Sequence, residues 1–223
     1  MPLRPSSRSD YNAAVSGVFI TFEGIEGSGK STQVELLARH LAARGARVLT
    51  TREPGGTPLG ERVRAILLDP DSDPVPMSEL FLLEAARAQL VARVIAPALA
   101  AGVTVLSDRF ADSSTAYQGA ARGLGEGVVA ALNAAACGAT LPTRTVVLDL
   151  GVEVAVERAR ARPSTTASNR RFEDEALAFH RLVALGYREL ARQQPGRVRL
   201  VDASGSPEDV HRRVLRELED LLP

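Results

Sequence analysis

Eight consecutive residues, Gly24-Ile25-Glu26-Gly27-Ser28-Gly29-Lys30-Ser31, bring together three glycines, one lysine and two serine hydroxyls. Their order fits G-x-x-x-x-G-K-[ST], a loop whose chemistry is the gripping of a polyphosphate. Glycines let successive backbone N–H groups converge on an anion. A helix starting directly behind them adds free N–H donors and the positive end of its dipole. Lys30 is the only lysine among 27 cationic side chains. A chain that uses arginine everywhere else keeps a lysine here for a physical reason. A compact ammonium on a flexible stem bridges β- and γ-phosphate oxygens, where a planar guanidinium substitutes poorly. The loop from Gly24 to Thr32 is therefore expected to hold ATP, with the Ser31 hydroxyl on Mg²⁺. Asp108 closes the run Val103-Thr104-Val105-Leu106-Ser107. An acid at the carboxyl end of a central strand sits beside such a loop and can hold Mg²⁺ through water. Arg109 follows directly and points to the same crevice, where it can hold an acceptor phosphate.

Those residues need a scaffold. Val18 to Phe22 reads as a strand leading into the loop, and Thr32 to Arg44 as a helix that stops at Gly45. Further strands are predicted over Arg47–Thr51, Val103–Ser107, Thr145–Leu150 and Arg197–Val201. Helices are predicted over Leu59–Leu68, Ser78–Ala101, Ser113–Gly119, Glu126–Ala136, Glu153–Ala161, Phe172–Gln194 and Pro207–Leu221. Ser78 is a candidate cap, and Pro97 should kink or split the long helix. Alternation of strand and helix predicts an α/β chain with a three-layer P-loop NTPase fold. It has about five parallel strands, helices on both faces and a small lid. Residues 1–17 read as a disordered tail, and 18–223 as one kinase domain with the lid at about 158–172.

Composition narrows the function. The 223 residues carry no formal net charge, so nothing suggests a general attraction to nucleic acid or to an anionic membrane. No apolar run reaches the ~18 residues of a membrane span. The lone cysteine, Cys137, excludes an internal disulfide, fits a cytoplasmic location and reads as a packed, inert thiol. His40, His180 and His211 all fall in predicted helices and show no metal-ligand spacing. A guanine-reading N-K-x-D element requires a second lysine, so a switch GTPase is excluded. A small kinase remains.

Three segments go further. They are Phe22-Glu23-Gly24-Ile25-Glu26-Gly27-Ser28-Gly29-Lys30-Ser31-Thr32, then Thr51-Arg52-Glu53-Pro54-Gly55-Gly56-Thr57, then Asp108-Arg109-Phe110 with Ser113-Ser114-Thr115-Ala116-Tyr117-Gln118-Gly119. In motif, order and spacing the chain resembles bacterial thymidylate kinase from about Val18 onward. The resemblance implies ATP and dTMP as substrates, Mg²⁺ as cofactor, and a homodimer. It implies that Arg52 and Arg109 seat the monophosphate, with Glu53, Pro54, Ser113 and Ser114 around it. Glu26 lies near the acceptor sugar. Tyr117 crowds the 2′ position, Gln118 reads the thymine edge, and Arg87 contacts the base.

Two positions depart from the family pattern. The aromatic that commonly stacks on thymine is Leu83 here, so either Leu83 presses on the base or Phe81 is shifted in. In the lid, Arg170-Arg171-Phe172-Glu173 stands where the family often has D-R-x-E. Arg158 or Arg162 is expected to contact adenine or phosphate, and Arg171 to be a catalytic lid arginine. The alternatives are a kinase for dUMP or UMP and a non-catalytic ATP-dependent regulator. A phosphate acceptor is already ionised near neutral pH, so Lys30, Arg109, Glu26 and Arg171 need no strong general base beside them.

Overall fold

In a computed structural model, the protein is described over residues 17–161 and 175–222. The predicted tail and the lid stretch from Arg162 to Phe172 lie outside the described residues. Five parallel strands form one sheet in the order β2-β3-β1-β4-β5. They are β1 Phe19–Glu23, β2 Val48–Arg52, β3 Thr104–Asp108, β4 Arg144–Asp149 and β5 Val198–Asp202. Each lies within one residue of its predicted span. Four run one residue further at the carboxyl end, because the hydrogen-bond ladder continues past the apolar pattern into Glu23, Arg52, Asp108 and Asp202. Two of those four polar ends, Arg52 and Asp108, line the functional cleft described below.

Side-chain alternation along the strands explains the layering. Ile20, Phe22 and Leu106 pack with Leu37 and Leu41 of α1 (Lys30–Ala42), Val183 and Tyr187 of α8 (Leu177–Gln193) and Val214 of α9 (Pro207–Glu217). Phe19 and Val105 point the other way, onto Leu90 of α3 (Pro76–Leu90) and Cys137 of α6 (Glu126–Cys137). Both faces are thus covered, and wholly buried residues such as Leu37 and Leu41 each contribute on the order of 2 kcal/mol. The remaining helices are α2 Pro58–Leu68, α4 Ala96–Ala100, α5 Ala111–Ser114 and α7 Val152–Arg160.

Several helix boundaries differ from expectation. The long helix begins at Pro76 rather than Ser78, since proline suits a first turn whose N–H groups lack partners. Pro97 does split it: a π-helical turn over Val91–Ile95 widens the ladder before α4, where the proline lacks an N–H. α1 starts at Lys30, two residues early, because Gly29 supplies the left-handed entry at φ 99°. α8 begins at Leu177, and α9 ends at Glu217 rather than Leu221. The predicted helix over Ser113–Gly119 is α5 followed by a π-helical turn over Thr115–Ala121.

A buried polar chain fastens α5 to the sheet. Thr145 on β4 shares a hydrogen bond with Thr21 on β1 at 2.9 Å, and its hydroxyl lies 2.7 Å from Asp112. Arg197 donates to both Asp112 oxygens at 2.7 and 2.8 Å. Burial makes such a network costly to break, so α5 and the turn after it are held rigidly. Gly27, in the glycine loop, lies against α7. It has φ 78°, and a Cβ there would stand 1.9 Å from the Ala155 carbonyl oxygen. Gly27→Ala should therefore lower stability by ~2 kcal/mol or more, read as a fall in melting temperature. An unchanged melting curve would contradict the packing described here.

Candidate active site

Parallel strands deliver their carboxyl ends to one edge of the sheet. Glu23 on β1, Arg52 on β2 and Asp108 on β3 end there, and the loop Gly24–Gly29 joins β1 to α1 beside them. A cleft of about 500 Å³ opens over this edge. Its walls include Glu26, Lys30, Ser31, Arg52, Glu53, Pro54, Leu83, Arg87, Asp108, Arg109, Ser113, Ser114, Tyr117 and Gln118. Residues from four distant stretches of sequence thus meet around one space of nucleotide size.

At the loop end, the Lys30 ammonium donates to the carbonyls of Gly24 at 3.1 Å and Ile25 at 2.8 Å. Burial and then the nearby Arg109 charge pull its pKa down from 10.5 to about 8. A negatively charged group placed beside the ammonium would offset both effects. The Ser31 hydroxyl donates to Asp108 Oδ2 at 2.5 Å. These two hard oxygens are the donor type that Mg²⁺ prefers. Among the described residues no cluster of three or more His, Cys, Asp or Glu could hold a metal unaided. A cation here would need the nucleotide's own oxygens.

Arg109 occupies the centre. It sits at φ 72°, a left-handed conformation for a non-glycine residue. Its guanidinium donates to the Gly24 carbonyl at 3.0 Å and to Glu26 at 2.7 Å, and stacks 5.0 Å from the Tyr117 ring centroid. Tyr117 donates its hydroxyl proton to the same Glu26 carboxylate, 2.8–2.9 Å away. Burial would raise the Glu26 carboxyl, but Arg109, Lys30 and the Tyr117 hydrogen bond outweigh it and hold it below the usual range. Arg52 is about half exposed and paired with both oxygens of Glu61 at 3.0 and 3.1 Å.

At the opposite end, the π-helical turn places the adjacent residues Tyr117 and Gln118 on one wall. The Gln118 amide nitrogen donates to Glu79 at 2.7 Å, which fixes the amide's orientation. Its oxygen is buried without a hydrogen-bond partner. Arg87 is almost wholly buried. Nε donates to Glu53, Nη1 to Glu84 and Asn133, and Nη2 to Ser114. Its donors are engaged with protein, so the base contact implied for it would have to be shared. Leu83 lines the cleft, whereas Phe81 lies outside it and is 56% exposed. Arg158 is exposed on α7. Arg162 and Arg171 lie outside the described residues.

Some residues escaped sequence reasoning. Arg64 on α2 lines the cleft and donates to the Pro54 carbonyl at 3.1 Å. Tyr187 on α8 donates to Glu23 at 2.7 Å from 164 residues away. His180 is fully buried with Nδ1 3.6 Å from Glu26, and neither ring nitrogen has a hydrogen-bond partner. None carries a local motif; only the crossing of α2 and α8 over the sheet edge brings them in. Cys137 is buried as expected, with its thiol pushed up to about 12 by burial.

A thymidylate kinase family model matches residues 22–214. The chain belongs to the thymidylate kinase family. A thymidylate kinase of Trichlorobacter lovleyi is 52% identical over 196 residues, 86% of this chain and 92% of the relative. That of Symbiobacterium thermophilum is 46% identical over 207 residues, 92% of this chain and 94% of the relative. The crystal structure of thymidylate kinase from Ehrlichia chaffeensis superposes with a TM-score of 0.74 at 31% identity, covering 92% of this chain and 99% of that one. For a member of this family, loss of the sole lysine should be decisive. Lys30→Ala should cut kcat by ~10²-fold or more while shifting the melting temperature little. Unaltered turnover would contradict the role given to Lys30.

Proposed function

We propose that the protein transfers the γ-phosphoryl group of ATP to dTMP, giving dTDP. One observation supports this reading above the others: the phosphate loop and Gln118, whose amide oxygen has no hydrogen-bond partner, line a single cleft. The amide nitrogen is engaged by Glu79, which leaves the amide oxygen as the group free to accept from a base. A thymine ring offers N3–H as the matching donor, as uracil does, whereas cytosine presents an acceptor there. Tyr117 and Leu83 supply apolar wall beside it.

Phosphoryl transfer needs alignment and charge neutralisation more than proton removal. Loop amides and Lys30 hold the donor phosphates. Arg109 and Arg52 hold the acceptor phosphate, and Arg52 must exchange Glu61 for it. Glu26 orders Arg109 and Tyr117 and faces the acceptor sugar, with Glu53, Pro54, Ser113 and Ser114 completing that side. Ser31 and Asp108 would hold Mg²⁺, which when bound neutralises charge between the phosphates. Arg158 and Arg162 are assigned to ATP, and Arg171 to the moving phosphoryl group.

A homodimer and a cytoplasmic location belong to the same proposal. Ile66 of α2, Phe81 of α3 and Val128 of α6 are exposed apolar residues, and α2 and α6 both pack against α3. No described helix is long and apolar enough to cross a membrane. A regulator without turnover would leave Gln118 and Tyr117 without a task, and is not favoured. Nor is a kinase specific for dUMP or UMP.

Coupled ADP release with a panel of monophosphates tests this reading. ADP should form with dTMP at a kcat/KM well above those for dUMP and UMP, and equal rates across the panel would refute it. Gln118→Ala should raise the KM for dTMP about tenfold and leave that for ATP unchanged.

A further inference from the structure

Glu23 ends β1 immediately before the phosphate loop, yet no step above uses it. Its side chain is fully buried and its carboxylate collects three donors. The Phe110 backbone N–H donates to Oε1 at 2.7 Å. Ser113 and Tyr187 both donate to Oε2, at 2.6 and 2.7 Å. A hydroxyl has one proton and two lone pairs. Having given their protons to Glu23, Ser113 and Tyr187 turn lone pairs outward, and Arg109 Nη1 donates to both at 3.2 and 3.3 Å. The Phe110 bond meanwhile pins the residue after the left-handed turn at Arg109.

We infer that Glu23 is a positioning residue: as a carboxylate it sets the polarity of the Ser113 and Tyr187 hydroxyls, and so holds Arg109 toward the acceptor phosphate. This rests on the acceptor role proposed for Arg109. A protonated Glu23 presents a donor where Oε2 now accepts twice. The hydroxyl that accepts from it must then redirect its own proton, to the other hydroxyl 3.0 Å away or toward Arg109, and either way Arg109 Nη1 loses one of its two hydroxyl acceptors. An amide at position 23 freezes that redirected state. Its oxygen can still accept from Phe110, but its NH₂ faces both hydroxyls.

The group is poised to change state. Burial, then the charge of Asp112 on α5, pushes its carboxyl up from 4.5 to about 7, against the lowering effects of Arg109, Ser113 and Tyr187. Lys30 of α1 and Arg197 of β5 also feel its charge. The sign is informative. A raised carboxyl contributes stability that is complete below 4.5 and is lost as pH rises through about 7. Function requires the opposite form, so across this window stability and acceptor binding move in opposite directions.

The test measures steady-state kinetics with dTMP and ATP, alongside melting curves, for Glu23→Gln, Tyr187→Phe and the double variant. Glu23→Gln should raise the KM for dTMP at least tenfold and leave that for ATP within twofold. Wild-type kcat/KM for dTMP should fall below about pH 7, and this limb should vanish in Glu23→Gln, leaving only the acceptor's own ionisation near ~6. The double variant should bind dTMP better than Glu23→Gln alone, because deleting the Tyr187 hydroxyl removes a proton aimed at Arg109. A purely structural Glu23 predicts the reverse, with losses that add. An unchanged KM for dTMP, or a double variant worse than either single, overturns the inference. Should Glu23→Gln not fold, Tyr187→Phe alone decides: a threefold or greater rise in KM for dTMP supports the inference, and none overturns it. Wild-type failure on dTMP would sink the functional reading instead, so the two failures are distinct.

Discussion

Cations that must meet phosphate in a sheltered cleft have to be kept charged before the phosphate arrives. Burying an unpaired charge costs several kcal/mol, so each cation here is held by a temporary substitute. Lys30 rests on the carbonyls of Gly24 and Ile25, Arg109 on Glu26 and Gly24, and Arg52 on Glu61. The depressed Lys30 and the depressed Glu26 are two faces of this balance. Phosphate binding as proposed would be an exchange of partners, with a smaller net gain per contact than a bare count of hydrogen bonds suggests.

Sheet geometry makes the exchange possible. Register sets Phe22 against Asp108 and Arg52 against the same Asp108 from the other side, so three strand ends open at one level. The Thr21–Thr145–Asp112–Arg197 chain then fixes α5, and with it Ser113, Ser114 and the π-helical turn. Gly186 completes the arrangement. A Cβ there would come within 3.1 Å of Ala116 and Ala120, so a glycine lets α8 lie close enough for Tyr187 to reach Glu23. The site is therefore built on elements whose own positions are fixed by burial.

What could be read in advance follows from how local each signal is. The loop Gly24–Ser31 is specified by its own residues, since conformation and chemistry both lie within eight positions. The strands were legible from apolar runs, but their polar last residues were not, because a ladder can extend past a hydrophobic pattern. Tyr117 and Gln118 were found through a motif. The π-helical turn that aims both of them inward was not, because periodicity of 3.6 assigns adjacent residues to different faces. Glu23, Tyr187 and His180 were missed for a single reason. Their importance lies in partners up to 164 residues away, and no short window contains such a pair.

One asymmetry in the cleft distinguishes holding a nucleotide from choosing one. Each cation already has a partner, so phosphate contacts are swaps that any monophosphate can make equally well. The Gln118 oxygen is different: it is buried and has no partner. Leaving such an atom unsatisfied costs ~1–3 kcal/mol in the empty protein, recovered only when a donor fills the place. A base lacking N–H at that point recovers nothing and leaves two acceptors facing each other. On the proposed reading, selectivity would rest on an atom that the fold leaves unpaired, while the arginines and the lysine, being already satisfied, would supply alignment and charge.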